Sequence, residues 1–170
     1  MSTVVWLTGV PASGKTTLAY AIQHKLSHPC IILDSDVVRK SLWPSIGLSD
    51  KERNEHVFRT GILAALIAGQ LEDCVVIVAC IAPFSKSRDL AINTIKQIAD
   101  CHLVHLHAPL IDRIERDPKG LYSKALFGEI EDLTGYDGTY EQPVLADLTI
   151  NTGKISAKDA ADIIIDLLIG

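Results

Sequence analysis

The apolar run IILDSD, residues 31–36, ends in two carboxylates one residue apart, Asp34 and Asp36. Upstream, residues 9–17 read GVPASGKTT, which fits G-x-x-x-x-G-K-[ST], the spacing of a loop that wraps phosphate. Gly9 and Gly14 allow the tight turn, and the backbone through Ala12, Ser13 and Gly14 turns its N–H groups towards phosphate oxygens. Lys15 would reach the β- and γ-phosphates, Thr16 would offer its hydroxyl to Mg²⁺, and Thr17 would meet the α-phosphate. A hydroxyl that attacks a γ-phosphate needs a carboxylate to orient it and take its proton. Asp36 is the candidate base, with Asp34 contacting the acceptor or Mg²⁺-bound water. The bland alternative is that Asp36 caps a helix starting at residue 37.

The nucleotide is expected to be ATP. Guanine readers carry N/T-K-x-D, and the nearest stretch, NTGK at 151–154, lacks the aspartate.

These groups need a scaffold. Short runs rich in Val and Ile predict strands over 4–7, 30–33, 74–79, 103–106 and 148–150. Helical patterns fall over 15–27, 50–70, 85–99, 109–116 and 156–169. Strands alternating with helices imply an α/β fold, a mostly parallel five-stranded sheet with helices on both faces. Ligands of such sheets sit beyond the carboxyl ends of the strands, where the cradle and both aspartates fall. Residues 117–143 are rich in Gly, Pro, Tyr and charge, and are expected to form a mobile lid on a single domain spanning 1–170.

The chain has 170 residues, 48% of them apolar and 22% charged, with a formal charge of −5. An acidic chain of pI about 5.6 argues against nucleic acid as a partner. There is no signal-peptide pattern, and the longest uncharged stretch, 60–71, is too short to span a bilayer. The four cysteines (Cys30, Cys74, Cys80 and Cys101) show no CxxC or zinc spacing, so buried reduced thiols in a cytoplasmic protein are expected. HLVHLH at 102–107 places His105 and His107 on one strand face, but no further ligands stand near in sequence, and a metal there is not expected.

Beyond its cradle the chain resembles the adenylylsulfate kinases, along essentially its whole length. RDPKGLYSKALFGEIEDLTGYDGTYEQP, residues 116–143, is similar to that family's lid. LDSDVVR stands where the family has L-D-G-D-x-x-R, LSDKERNEH where it has F-S-x-x-D-R-x-E-N, and IAPFSKSRD where it has I-S-P-Y-x-x-x-R-D. The resemblance implies a P-loop kinase fold and transfer from ATP, with Mg²⁺, to the 3′-hydroxyl of adenosine 5′-phosphosulfate (APS), giving PAPS. It also implies a role in sulfate assimilation and a homodimer. It assigns Arg39 and Arg53 to the acceptor nucleotide, and Arg116 and Lys119 to lid cations closing over the phosphates. Arg113 lies one turn before Arg116, and its plain reading is a pair with a neighbouring acid.

The departures cluster on the acceptor side. Ser35 replaces a glycine, His56 an asparagine, and Ala82, beside Ile81, a serine. Leu48 and Leu133 stand where two phenylalanines sandwich the acceptor base. His56 is then either a hydrogen-bonding group of the acceptor pocket or an exposed helix residue. Two other functions stay open: a kinase of the same family for another activated nucleotide, such as cytidine diphosphoramidate, and a catalytically weak ATP-binding regulatory domain.

Overall fold

The structure, a computed structural model, describes residues 2–169. Five strands, β1 (Thr3–Thr8), β2 (Cys30–Asp34), β3 (Val75–Ala79), β4 (Asp100–His107) and β5 (Leu148–Asn151), form one sheet in the order β2-β3-β1-β4-β5. Every pairing is parallel. The expected sheet is therefore present, and parallel throughout rather than mostly so.

Successive side chains of a strand face opposite ways, so a strand buried on both sides reads as an unbroken apolar run. β1 shows the division. Val4 and Trp6 join the core beneath α3 (Asp50–Gln70) and α4 (Ser85–Lys96), while Val5 and Leu7 join the core beneath α1 (Lys15–Lys25) and α7 (Ala157–Ile169). Helices α3 and α4 approach closely because Gly61 faces Ala91; a Cβ on Gly61 would stand 2.6 Å from the Ala91 Cβ. Chain reversals elsewhere use α2 (Ser35–Leu42), α5 (Leu110–Arg116) and α6 (Leu121–Leu126).

The chain leaves β1 through α1 on one face of the sheet and leaves the adjacent β3 through α4 on the other. The strand ends part there, creating the crevice that parallel sheets offer to ligands. Three connections meet at it: the β1–α1 loop, the β2–α2 junction, and residues 80–84 after β3.

Two boundaries differ from the sequence expectation. Helix α2 starts at Ser35, and its N-cap is Asp34, whose Oδ1 accepts from the Asp36 N–H at 3.0 Å. Asp36 thus lies inside the first turn and is not the cap. The segment 117–143 contains α6 and hydrogen-bonded turns, including Leu133 N–H on Asp137 Oδ1 at 2.7 Å. Its Gly and Pro content reflects tight turns as much as irregularity. Cys74, Cys80 and Cys101 are buried and Cys30 is only half-buried; all four are free thiols. His105 is buried and stacks on Tyr140 at 6.0 Å, whereas His107 is exposed.

Candidate active site

The β1–α1 loop takes its shape from close approach and left-handed backbone. A Cβ on Gly9 would meet the Leu106 carbonyl oxygen at 2.5 Å, and Gly14 has φ 92°. Ala12, also left-handed at φ 60°, helps turn the backbone donors of the loop inwards, towards the N-terminus of α1. Lys15 folds over this loop and donates to the carbonyls of Gly9 at 2.8 Å and Val10 at 2.9 Å. Burial lowers its pKa to about 8, against the pull of nearby acidic groups that include Asp36 and Asp34.

Thr16 Oγ1 donates to Asp34 Oδ2 at 2.6 Å. With Oδ1 capping α2, both oxygens of Asp34 are engaged in fixing the loop against the β2 end. A hydroxyl and a carboxylate, both hard oxygen donors beside a phosphate cradle, suit Mg²⁺, and the lone pairs of Thr16 remain available to it.

Asp36 projects from the first turn of α2. Its Oδ2 pairs with the ammonium of Lys119, which arrives from the segment after α5. Desolvation pushes the Asp36 carboxyl up, but the hydrogen bond and charge of Lys119, with Lys15 and Arg39, outweigh it and hold the group below the usual carboxylate range. Asp36 is therefore ionised at neutral pH, as a base must be.

Two cavities meet at this residue. The first, about 160 Å³, is lined by Gly14, Lys15, Thr16, Thr17 and Asp34. The second, about 440 Å³, lies between α2, α3 and residues 130–134, and is lined by Arg39, Leu48, Arg53, His56, Ala82 and Leu133 among others. Ser35, Asp36, Ile81 and Lys119 line both. The expected donor and acceptor groups thus fall into two adjoining spaces with Asp36 on the shared wall.

Each arginine is held by protein partners of its own. Arg39 donates to the Gly47 carbonyl at 2.6 Å and shapes the loop before α3. Arg53 reaches Leu48 O at 2.7 Å, Thr134 Oγ1 at 2.9 Å and the Asp132 carboxylate at 2.9 Å, tying α3 to the covering segment. Arg116 does not join Lys119. It donates to Thr152 Oγ1 at 3.0 Å and Thr152 O at 2.7 Å, on a separate cavity shared with Gly14 and Thr17. Among the described residues Arg113 pairs with no acid: it donates to the Tyr122 hydroxyl at 2.9 Å and the Gly135 carbonyl at 3.0 Å. Tyr122 in turn donates to Pro11 O at 3.0 Å, which anchors α6 to the cradle.

His56 is not an exposed helix residue. It is 2% exposed, with Nδ1 accepting from Trp43 Nε1 at 2.8 Å and Nε2 lying 2.6 Å from Ser35 Oγ. Burial lowers its pKa to about 4, with the Arg39 charge acting the same way and Asp36 opposing. Ala82 is fully buried at φ 46°, its carbonyl held at 2.8 Å by the buried Arg88.

Sequence reasoning missed Trp43, Tyr122, Arg88 and Thr152 as parts of the site. Thr152 left a signal, since it directly follows the last strand at the ligand-binding edge. Arg88 and Tyr122 fall within the family-like stretches IAPFSKSRD and RDPKGLY, but their contacts, like those of Trp43, are three-dimensional and could not be read from the chain.

The family model for adenylylsulphate kinase matches residues 1–151. A probable adenylyl-sulfate kinase of Archaeoglobus fulgidus is 40% identical over 157 residues, covering 91% of this chain and 98% of the relative. One of Pyrococcus abyssi is 38% identical over 164 residues, covering 95% and 91%. An APS kinase of Mycobacterium tuberculosis, solved in complex with AMPPNP and APS, superposes with a TM-score of 0.94 at 35% identity, over 99% of this chain and 98% of that one.

Proposed function

The chain belongs to the adenylylsulphate kinase family, and from that membership we propose that it transfers the γ-phosphate of ATP to the 3′-hydroxyl of APS, giving ADP and PAPS. The observation that carries the proposal is the position of Asp36, ionised and on the wall common to both cavities.

ATP phosphates occupy the cradle, with the loop N–H groups and Lys15 as donors, and Arg116 and Thr152 on the nucleoside side. Thr16, with Asp34 behind it, would hold Mg²⁺, whose charge would offset that of the transferring phosphate. The acceptor lies in the larger cavity, where Arg39 and Lys119 supply positive charge for its anionic groups. Its hydroxyl gives a proton to Asp36 as its oxygen bonds to the γ-phosphorus; the bond to the bridging oxygen breaks and that charge leaves on ADP. Lys119 lines both cavities and can stabilise charge on the group in transit. Residues 117–143 serve as the lid of a single kinase domain.

One observation favours a second acceptor. The apolar walls Leu48 and Leu133 present no aromatic face, so a base is enclosed without stacking. A pyrimidine nucleotide would lose less there than a purine.

The test is ADP release with Mg·ATP against APS, AMP, a cytidine diphosphate compound and no acceptor, with products identified by mass. APS-dependent ADP and a product heavier by one phosphoryl group support the proposal. Turnover only with the cytidine compound moves the acceptor assignment to the second reading, and silence with all acceptors contradicts both.

A further inference from the structure

Trp43, His56 and Ser35 form a hydrogen-bonded line with a fixed direction. An indole N–H only donates, so His56 Nδ1, 2.8 Å away, must be a bare acceptor. The proton of the neutral ring is then on Nε2 and is donated to Ser35 Oγ at 2.6 Å. The hydroxyl proton of Ser35 is then turned away from His56, whose Nε2–H the oxygen accepts. The line joins the C-terminal end of α2 and the N-terminal third of α3 to the first residue of α2.

That residue sits between Asp34 and Asp36. We propose that Trp43, His56 and Ser35 are positioning residues that lock the first turn of α2, and so hold Asp34 against Thr16 and Asp36 on the wall shared by the two cavities. The role in transfer rests on the function proposed above; the direction of the line does not.

The relay demands a neutral ring. A second proton would go to Nδ1 and set two donors against each other across the contact with Trp43. The charged groups acting on the ring are Arg39 and Asp36 from α2, and Arg59 of α3 lies 5.8 Å over the Trp43 ring. Arg39 already opposes ring charging.

Nitrogen-15 NMR of the ligand-free protein labelled at histidine tests the direction without any substrate. The expected result is an unprotonated Nδ1 and a protonated Nε2 for His56 at neutral pH; the reverse tautomer, or a charged ring, overturns the relay even if transfer to APS is robust. Transfer kinetics test the positioning. Ser35→Ala should lower kcat about tenfold with KM for ATP changed less than about twofold, the scale of a modest misplacement of a reacting group. Ser35→Thr, which keeps the hydroxyl, should restore most of the loss. Trp43→Phe leaves Nδ1 without its donor and should move the acid limb of kcat to higher pH than in wild type, while burial and Arg39 still hold the ring below the ordinary histidine range. An unchanged kcat in Ser35→Ala, or an acid limb unmoved in Trp43→Phe, overturns the positioning role. A wild-type protein silent with APS would fail the function proposed above, while the NMR result would still stand or fall alone.

Discussion

Thr16 Oγ1 stands 2.6 Å from Asp34 Oδ2, and the other oxygen of Asp34 caps α2. The two strand-end carboxylates therefore have separate tasks: Asp34 binds the cradle to α2, and Asp36 faces the incoming hydroxyl. Asp34→Ala should cost about 1 kcal/mol of stability through the lost cap, read by urea unfolding. It should also raise the Mg²⁺ concentration needed for half-maximal rate, because Thr16 loses its anchor. A variant with unaltered Mg²⁺ dependence would contradict that division.

Lys15 gives a proton-linkage signature. Its pKa of about 8 arises from burial against the cradle. ATP brings negative charge to the ammonium and favours its protonated form. At pH 8, ATP binding should take up about half a proton per site, measured by calorimetry in buffers of different ionisation enthalpy. An observed enthalpy independent of buffer would show that Lys15 is already fully charged.

His56 predicts an acid-side loss of stability. Its folded pKa of about 4 lies below the ordinary histidine value of 6.5, so on acidification the unfolded chain binds the proton first. Its contribution is complete above pH 6.5, declines as pH falls towards 4, and is flat below. The full effect is of order 3 kcal/mol. Urea unfolding of wild type and His56→Gln across that window should differ in slope by about one proton. Parallel curves would contradict the buried neutral ring.

The two leucines of the larger cavity should respond oppositely to enlargement. Leu48 is 65% exposed and Leu133 is 7% exposed. Phenylalanine at Leu48 has room and offers a stacking face, so Leu48→Phe should tighten acceptor binding by about 1 kcal/mol. Leu133→Phe should overpack its site and destabilise by about 1–3 kcal/mol. Titration calorimetry and thermal unfolding separate the two; equal behaviour would show that burial does not distinguish these walls.

Much of the fold could be read from the chain because its signals are local. The apolar runs of β1 and β3 mark strands buried on both faces, and the glycine spacing of the cradle is itself a backbone requirement at Gly9 and Gly14. Asp34 and Asp36 could be placed at the ligand edge because they end a strand. The partners of His56, Arg113 and Arg116 could not be read in this way. His56 meets Ser35 across 21 positions, and Arg116 meets Thr152 across 36, through contacts created by packing α2 on α3 and β5 beside β4. The exchange of capping roles between Asp34 and Asp36 turned on two residues of helix boundary. Hydrophobic periodicity does not resolve that distance.

The most direct measurement is transfer from ATP to APS by wild type and Asp36→Asn, with ATP affinity measured on both. Asparagine keeps the shape of the side chain and removes its basicity. In Asp36→Asn kcat should fall about 10²-fold or more, with ATP affinity nearly unchanged. Near-wild-type turnover by Asp36→Asn would contradict the assignment of Asp36 as the base that takes the acceptor proton.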